Sequence, residues 1–328
     1  MKKKIKIIAE AGINHNGNIK LAYKLIDCAR EANADAVKFQ IFSADELQSQ
    51  KQQYKITKKL ELSRDEHIKL KKYCKMKGIT YLCSAFDIPS LKFLHQQKIN
   101  LFKIPSGEII NFPYLKVIGS FKKEVILSTG MSTILEIERA LKVLCKSGLS
   151  KKQITLLQCN SDYPTKYSDV NLSAMLYLKK KFKVEVGLSD HTLGIEVPIA
   201  AAALGAKVIE KHFTDTCERE GPDHKFSMDP KSWKEMVDRS RELESSLGTD
   251  IKKVERNEKE TVILQRRALR ATKNLLAGDD IKKEDFFPLR PCPNEAIQPY
   301  DLNNILGKEL KNDIEKGDTI KWVDLKQQ

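Results

Sequence analysis

Apolar and polar positions fall in blocks along the first 213 residues. Eight short apolar runs occupy residues 5–10, 36–41, 79–84, 101–105, 125–128, 154–159, 184–189 and 207–213. Within each run the apolar residues are nearly continuous. Buried parallel strands read this way because helices cover both faces, whereas a strand with one wet face alternates. Between most neighbouring runs the apolar residues recur at helical spacing, over residues 19–32, 64–77, 90–97, 134–147, 172–182 and 196–204, and a further helix over 231–247 follows the eighth run. Eight such alternations predict a closed (β/α)8 TIM barrel with the last helix closing it.

In that architecture the chemistry sits at the carboxyl ends of the strands. The residues there are Glu10; Lys38 and Gln40; Ser84; Lys103 and Ser106; Ser128; Ser161 and Tyr163; Ser189, Asp190 and His191; and Glu210, Lys211 and His212. Lys38 and Lys103 lie inside apolar strands, and an unpaired buried ammonium is costly. Each therefore needs an anion. One reading is a bound phosphate, with Ser84, Ser106, Ser128 and Ser189 as hydroxyl donors. Another is an inward carboxylate such as Glu10 or Glu108. A Schiff-base role for either lysine fits the spacing too. His191 and His212 end adjacent strands, which lie about 4.8 Å apart. Two imidazoles so placed can share one divalent ion with positions left for substrate and water, or can hydrogen-bond at the barrel mouth.

At 328 residues the chain exceeds the size of one ordinary core, so a large domain plus a small one is expected. The boundaries predicted are a barrel over 1–248, a linker over 249–264 where apolar periodicity is lost, and a second module over 265–328 built of short strands and turns with no long helix. No apolar stretch approaches the ~20 residues of a membrane span, and no signal peptide is expected. The seven cysteines are scattered with no Cys-x-x-Cys pair, which points to a reducing, cytoplasmic setting. The formal charge is +14, and residues 51–77 alone hold nine lysines and one arginine. Those charges are interleaved with Glu61, Asp65 and Glu66 and with Leu62, Ile68 and Leu70, which describes a solvated helix face. No recognition motif accompanies them, so no nucleic-acid partner is expected. A positive field suits an anionic substrate.

Several motifs taken together resemble the sialic acid synthase family. They are Ala9-Glu10-Ala11-Gly12-Ile13-Asn14-His15-Asn16-Gly17, Val37-Lys38-Phe39-Gln40, Lys103-Ile104-Pro105-Ser106-Gly107-Glu108 and Leu127-Ser128-Thr129-Gly130-Met131. Tyr163-Pro164-Thr165, Gly187-Leu188-Ser189-Asp190-His191-Thr192, Glu210-Lys211-His212-Phe213-Thr214 and Gly221-Pro222-Asp223-His224 complete the set. From Arg266 the tail is similar to the small, mostly-β antifreeze-like (SAF, β-clip) domain of these enzymes.

The family condenses phosphoenolpyruvate with an N-acylated amino sugar and water, giving a nonulosonic acid and phosphate. The resemblance implies that His191 and His212 bind manganese or magnesium. It implies that Lys38, Ser84, Lys103, Ser106, Ser128, Ser161 and Ser189 hold phosphoenolpyruvate. Glu10, Gln40, Tyr163 and Asp223 would face the sugar or the water network around the ion, and Glu108 would position the water that attacks C2. Arg290 matches an arginine that the tail lends to the partner subunit's site, so a domain-swapped homodimer is implied. The acceptor would be N-acetylmannosamine or a 2,4-diacetamido-trideoxy-hexose of the legionaminate type. Pseudaminate synthases usually lack the Pro-Ser-Gly-Glu and Gly-Pro-Asp-His patterns, and other phosphoenolpyruvate-dependent sugar-acid synthases normally lack the tail. The non-enzyme alternative is a sugar- or anion-binding barrel. The sequence departs from the family pattern at Ser161 and Asp162, at Cys292-Pro293-Asn294-Glu295 after the arginine, and at Phe226 and Met228, where alanine and leucine are commoner.

Overall fold

A computed structural model describes residues 4–326. The chain divides into two compact units, one ending at Gly248 and the other beginning at Thr249. In the first, eight strands close in sequence order into an all-parallel barrel. They are β1 (Lys6–Gly12), β2 (Ala36–Ile41), β3 (Thr80–Ala85), β4 (Leu101–Ile104), β5 (Glu124–Ser128), β6 (Ile154–Cys159), β7 (Glu185–Asp190) and β8 (Val208–His212), with β8 pairing back onto β1.

Side chains alternate in and out of a barrel wall, so residues two apart share a face. The barrel floor is an apolar layer of Ile8, Ala36, Leu82, Ile126, Leu157 and Val208. Moving two residues toward the carboxyl ends changes that layer to Glu10, Lys38, Ser84, Ser128, Cys159 and Glu210. The polar site is thus the second storey of the barrel interior. On β7 the floor position is Gly187, where a Cβ would meet the Val208 carbonyl at 2.1 Å and Leu157 Cδ2 at 2.8 Å. Outward-facing residues such as Val37, Phe39, Val125 and Val186 join the helices in the main core.

The helices are α1 (Ile19–Glu31), α2 (Ala44–Leu47), α3 (Lys51–Lys59), α4 (Arg64–Lys77), α5 (Ile88–Gln96), α6 (Phe112–Ser120), α7 (Ile134–Lys146), α8 (Ser173–Phe182), α9 (Glu196–Ala203) and α10 (Pro230–Ser246). Ser63 with Glu66, and Thr133 with Glu136, form capping boxes that start α4 and α7 by satisfying orphan amide donors. Helix α10 closes the ring with Trp233, Met236 and Val237 buried, and Arg241 reaches Asp35 and the Ile5 carbonyl beneath β1.

Three barrel helices, the single-turn α2 together with α3 and α6, fall outside the helices expected from the sequence. α6 begins at an Asn111 cap with Pro113 in its first turn and buries Tyr114, Leu115 and Ile118. α3 buries no side chain, so it carries no apolar stripe to read. The expected linker also contains helix, because α11 (Lys259–Gln265) covers its end and runs into the first residue of the expected second module. In the second unit, β9 (Ala268–Ala271) pairs antiparallel with β10 (Phe286–Leu289), and α12 (Leu302–Ile305) follows. Isolated bridges such as Leu275 to Ile314 and Leu310 to Leu325 replace the other expected short strands. Its own core holds Leu269, Ile281, Phe286, Ile297, Ile305 and Ile320. Among the described residues no helix is long and apolar enough to cross a membrane.

Candidate active site

The second storey brings two lysines and two carboxylates together in a nearly fully buried cluster. Lys38 Nζ lies 3.1 Å from Glu210 Oε2, 3.4 Å from Glu10 Oε2 and 3.2 Å from Ser84 Oγ. Lys103 Nζ lies 3.3 Å from Glu210 Oε1. Glu210 Oε1 also accepts from Ser189 Oγ at 3.2 Å. One carboxylate therefore bridges both lysines. This geometry realises the carboxylate-paired reading of Lys38 and Lys103, with Glu210 as the main partner and Glu108 outside the cluster.

The electrostatics follow from burial and neighbours. For Glu210, burial opposes ionisation, but Lys103 and Lys38 outweigh it and hold the carboxyl below its ordinary range. Glu10 goes the other way, pushed up to about 7 by burial, with Lys38 opposing and Glu210 adding to the rise. Burial depresses Lys103, whereas Lys38, buried equally, is raised by Glu10 and Glu210. The two lysines are not equivalent. The three protons of Lys38 already face three oxygens, while Lys103 has Glu210 and the Ile104 carbonyl at 3.4 Å.

Beside the lysines is a cradle of small donors. Gly130 N–H donates to Ser106 Oγ at 3.0 Å, and Ser106 Oγ lies 3.6 Å from Cys159 Sγ. A Cβ on Gly130 would come within 2.3 Å of Ser161 Oγ, 2.9 Å of Ser106 Oγ and 3.2 Å of Cys159 Sγ. Only a glycine leaves that space open. Ser128 Oγ is buried without a hydrogen-bond partner.

On another side, Gln40 Nε2 donates to Glu10 Oε1 at 3.0 Å. A Cβ on Gly12 would lie 3.3 Å from each of Gln40 Nε2 and Glu10 Oε1 and 3.6 Å from Asp223 Oδ2, so these polar groups converge on one backbone position. Burial raises Asp223 to about 6, with His191 opposing.

The histidines complete the mouth. His191 and His212 have ring centroids 5.4 Å apart. His191 Nδ1 contacts the Asn160 carbonyl at 2.5 Å, which fixes that ring. His212 Nδ1 is buried with no hydrogen-bond partner, 3.7 Å from Asp223 Oδ2. Burial, reinforced by His191, holds His212 well below the ordinary imidazole range, hence neutral. Behind them, facing outward from the wall, Lys211 Nζ donates to Asp190 Oδ2 at 2.5 Å and to the Thr192 carbonyl. Among the described residues no group of three or more His, Cys, Asp or Glu forms a ready metal site. The unpartnered, neutral His212 nitrogen beside a second imidazole nevertheless fits a divalent ion completed by water and substrate oxygens.

Tyr163 spans the histidines, 4.1 Å from the His191 ring and 5.7 Å from the His212 ring. Glu108 lies on the turn Ser106–Glu108, half-buried, and accepts from Asn111 Nδ2 at 2.7 Å instead of joining the cluster. Arg290 belongs to the second unit, exposed just after β10. Sequence reasoning gave no role to Glu210, Cys159 or Gly130. The signal for Glu210 was its parity with His212, two residues away on one strand.

Comparison with known proteins gives the chain clear relatives. Residues 25–252 match the model of the NeuB family, and residues 266–326 match the SAF domain. The N,N'-diacetyllegionaminic acid synthase of Campylobacter jejuni is 42% identical, over 95% of this chain and 98% of that protein. The pseudaminic acid synthase of the same organism is 34% identical, over 98% and 97%. Among solved structures, the N-acetylneuraminic acid synthetase of Leptospira borgpetersenii, in complex with citrate, superposes with a TM-score of 0.73 at 35% identity, covering 79% of this chain and 90% of that one.

Proposed function

The chain belongs to the NeuB family, and we propose that it is a phosphoenolpyruvate-dependent nonulosonic acid synthase acting on an N-acylated amino sugar. The observation that carries this reading is the pair of buried lysines sharing one carboxylate, Glu210, beside the Gly130 and serine cradle and two histidines. Two ammoniums against one firmly ionised carboxylate leave the cluster positive, which suits a phosphorylated carboxylic acid. Lys103, Ser106, Ser128, Ser161 and the Gly130 N–H bind that anion, with Lys38, Ser84 and Ser189 holding Lys103 and Glu210 in register.

In the reaction, C3 of phosphoenolpyruvate bonds to the aldehyde carbon of the open-chain sugar. Water adds at C2, and phosphate leaves by cleavage of the C–O bond. A divalent ion, manganese or magnesium, held by His191 and His212, would polarise the aldehyde when bound. Glu10, poised near neutrality, holds a proton that can pass to the alkoxide as it forms, with Gln40 orienting the carboxyl. Asp223 and Tyr163 orient the sugar, and Glu108 on the rim orients the water. Fixing both substrates against fixed donors is worth up to ~7–11 kcal/mol of the barrier.

The higher identity to a diacetyllegionaminic than to a pseudaminic acid synthase favours an acceptor of the legionaminate type, a 2,4-diacetamido-trideoxy-hexose. Arg290, from the second unit of a partner subunit in a swapped homodimer, would bind the N-acyl group. The reaction is assigned to the cytoplasm, in keeping with seven free cysteines. The test is incubation with phosphoenolpyruvate, Mn2+ and either acceptor, following phosphate release and product mass. A nine-carbon acid from one acceptor supports the reading. No turnover with either, despite phosphoenolpyruvate binding, would favour the anion-binding barrel.

A further inference from the structure

Phe226 is absent from every role above, yet it stands in the mouth of the site. It lies on the short turn His224–Phe226 that follows Asp223. Its ring centroid is 5.2 Å from that of His212, edge-on, and 5.1 Å from that of Tyr163. Tyr163 in turn leans on His191. Four rings thus meet, the two histidines among them, and the other two, Tyr163 and Phe226, remain partly exposed where an acceptor would enter. Near the same histidines the polar groups Glu10, Gln40 and Asp223 converge at Gly12, with Asp223 Oδ2 3.7 Å from His212 Nδ1. A molecule anchored at the histidines by its carbonyl end therefore has one wall able to bind hydroxyls and another with no hydrogen-bonding atom on the Phe226 ring.

We infer that Phe226 is a specificity-determining residue: with Tyr163 it forms an apolar wall that selects an acceptor bearing apolar substituents, a deoxy methyl and acyl methyls, over one bearing a hydroxymethyl or phosphate at the same place. The inference rests on the condensation reading above. Its physical basis is that a hydroxyl pressed against an apolar ring loses water without gaining a partner, while a methyl loses nothing. A phosphate would be rejected more strongly, since its charge would lie against the ring. Discrimination by one such contact is of order ten- to a hundredfold in kcat/KM.

The test compares wild type, Phe226→Ala and Phe226→Leu with N-acetylmannosamine, its 6-phosphate and its 2,4-diacetamido-2,4,6-trideoxy relative, with the KM for phosphoenolpyruvate measured alongside. Wild type is expected to prefer the trideoxy acceptor by about tenfold or more. In Phe226→Ala that preference is expected to shrink to within about threefold, mainly through the acceptor KM, and Phe226→Leu is expected to retain most of it. Equal losses for all acceptors would overturn the inference, because Phe226 would then merely support His212. An unchanged preference in Phe226→Ala would also overturn it. If wild type uses no acceptor at all, the condensation reading fails and this inference falls with it.

Discussion

Replacing Glu210 by glutamine should unfold the barrel more readily while making it respond more strongly to phosphate. Glu210 lies 3.1 Å from Lys38 Nζ and 3.3 Å from Lys103 Nζ, with its side chain only 5% exposed. At an effective dielectric near 20 each contact is worth roughly 5 kcal/mol of gross attraction. Two terms reduce the loss. The variant no longer buries a carboxylate, and Glu10, freed from the repulsion of Glu210, can ionise against Lys38. Breaking a buried ion pair by removing one member costs about 3–5 kcal/mol net. For a unit of this size that is a fall of roughly 6–20 °C in melting temperature.

Phosphate distinguishes this account from ordinary core damage. In wild type an incoming anion shares the lysines with Glu210, whereas in Glu210→Gln it supplies the missing charge. Ligand at a hundred times its Kd stabilises by about 2.7 kcal/mol, and the variant should reach that state at lower phosphate than wild type. Thermal or urea melts of both proteins with and without inorganic phosphate or phosphoenolpyruvate provide the assay. A variant as stable as wild type, or one whose stability phosphate leaves unmoved, would refute the shared-counterion reasoning.

Other outcomes follow from the same geometry. Gly130→Ala should place a methyl among Ser161, Ser106 and Cys159 and raise the KM for phosphoenolpyruvate by roughly tenfold or more through lost donors with little change in melting temperature; an unaltered KM would remove Gly130 from the cradle. His191→Ala should abolish Mn2+-dependent turnover in a folded barrel, checked by Mn2+ binding followed by paramagnetic resonance, and undiminished binding would remove the metal assignment. Acid should destabilise the barrel unit through His67 and His15, which burial lowers to about 3 and about 4. Between pH 6.5 and 4 the unfolded chain binds protons that these two folded histidines refuse, so each makes stability fall as pH falls, by about 1.4 kcal/mol per unit; urea melts of His67→Gln, which keeps a partner for Tyr81 Oη, should show a slope shallower than wild type by about that amount. Arg290→Ala mixed with His191→Ala and allowed to exchange subunits should recover about a quarter of wild-type activity if the arginine crosses a symmetric dimer, and no recovery would count against the swapped site.

The barrel strands were legible because their burial on both faces leaves apolar runs that only polar strand ends interrupt. The second-storey residues were legible for the same reason, since Lys38 and Lys103 have no packing excuse inside such runs. What stayed hidden depends on contacts between separate segments. α6 is short and interrupted by Pro113 and Gly119, so its buried Tyr114, Leu115 and Ile118 did not read as a stripe. α3 has nothing buried to read. The order of α11 within an apparent linker, and the bridges of the second unit, likewise depend on backbone pairing that side-chain periodicity does not encode.

Glu210 shows most clearly why the site could be located but not wired. Two ways of satisfying Lys38 and Lys103 were open from the sequence, an inward carboxylate or a bound anion, and they looked like alternatives. The barrel makes them compatible. β8 delivers a single carboxylate between β2 and β4, so two ammoniums share one counter-ion that they keep ionised. The second carboxylate, Glu10, is pushed up to about 7 and neutralises the remainder only in part near neutral pH. A cluster with a full complement of carboxylates would gain little from an anion, and one with none could not be buried while the protein waits for substrate. Under the proposed function, partial compensation lets the barrel stay folded without substrate and still bind a phosphorylated acid.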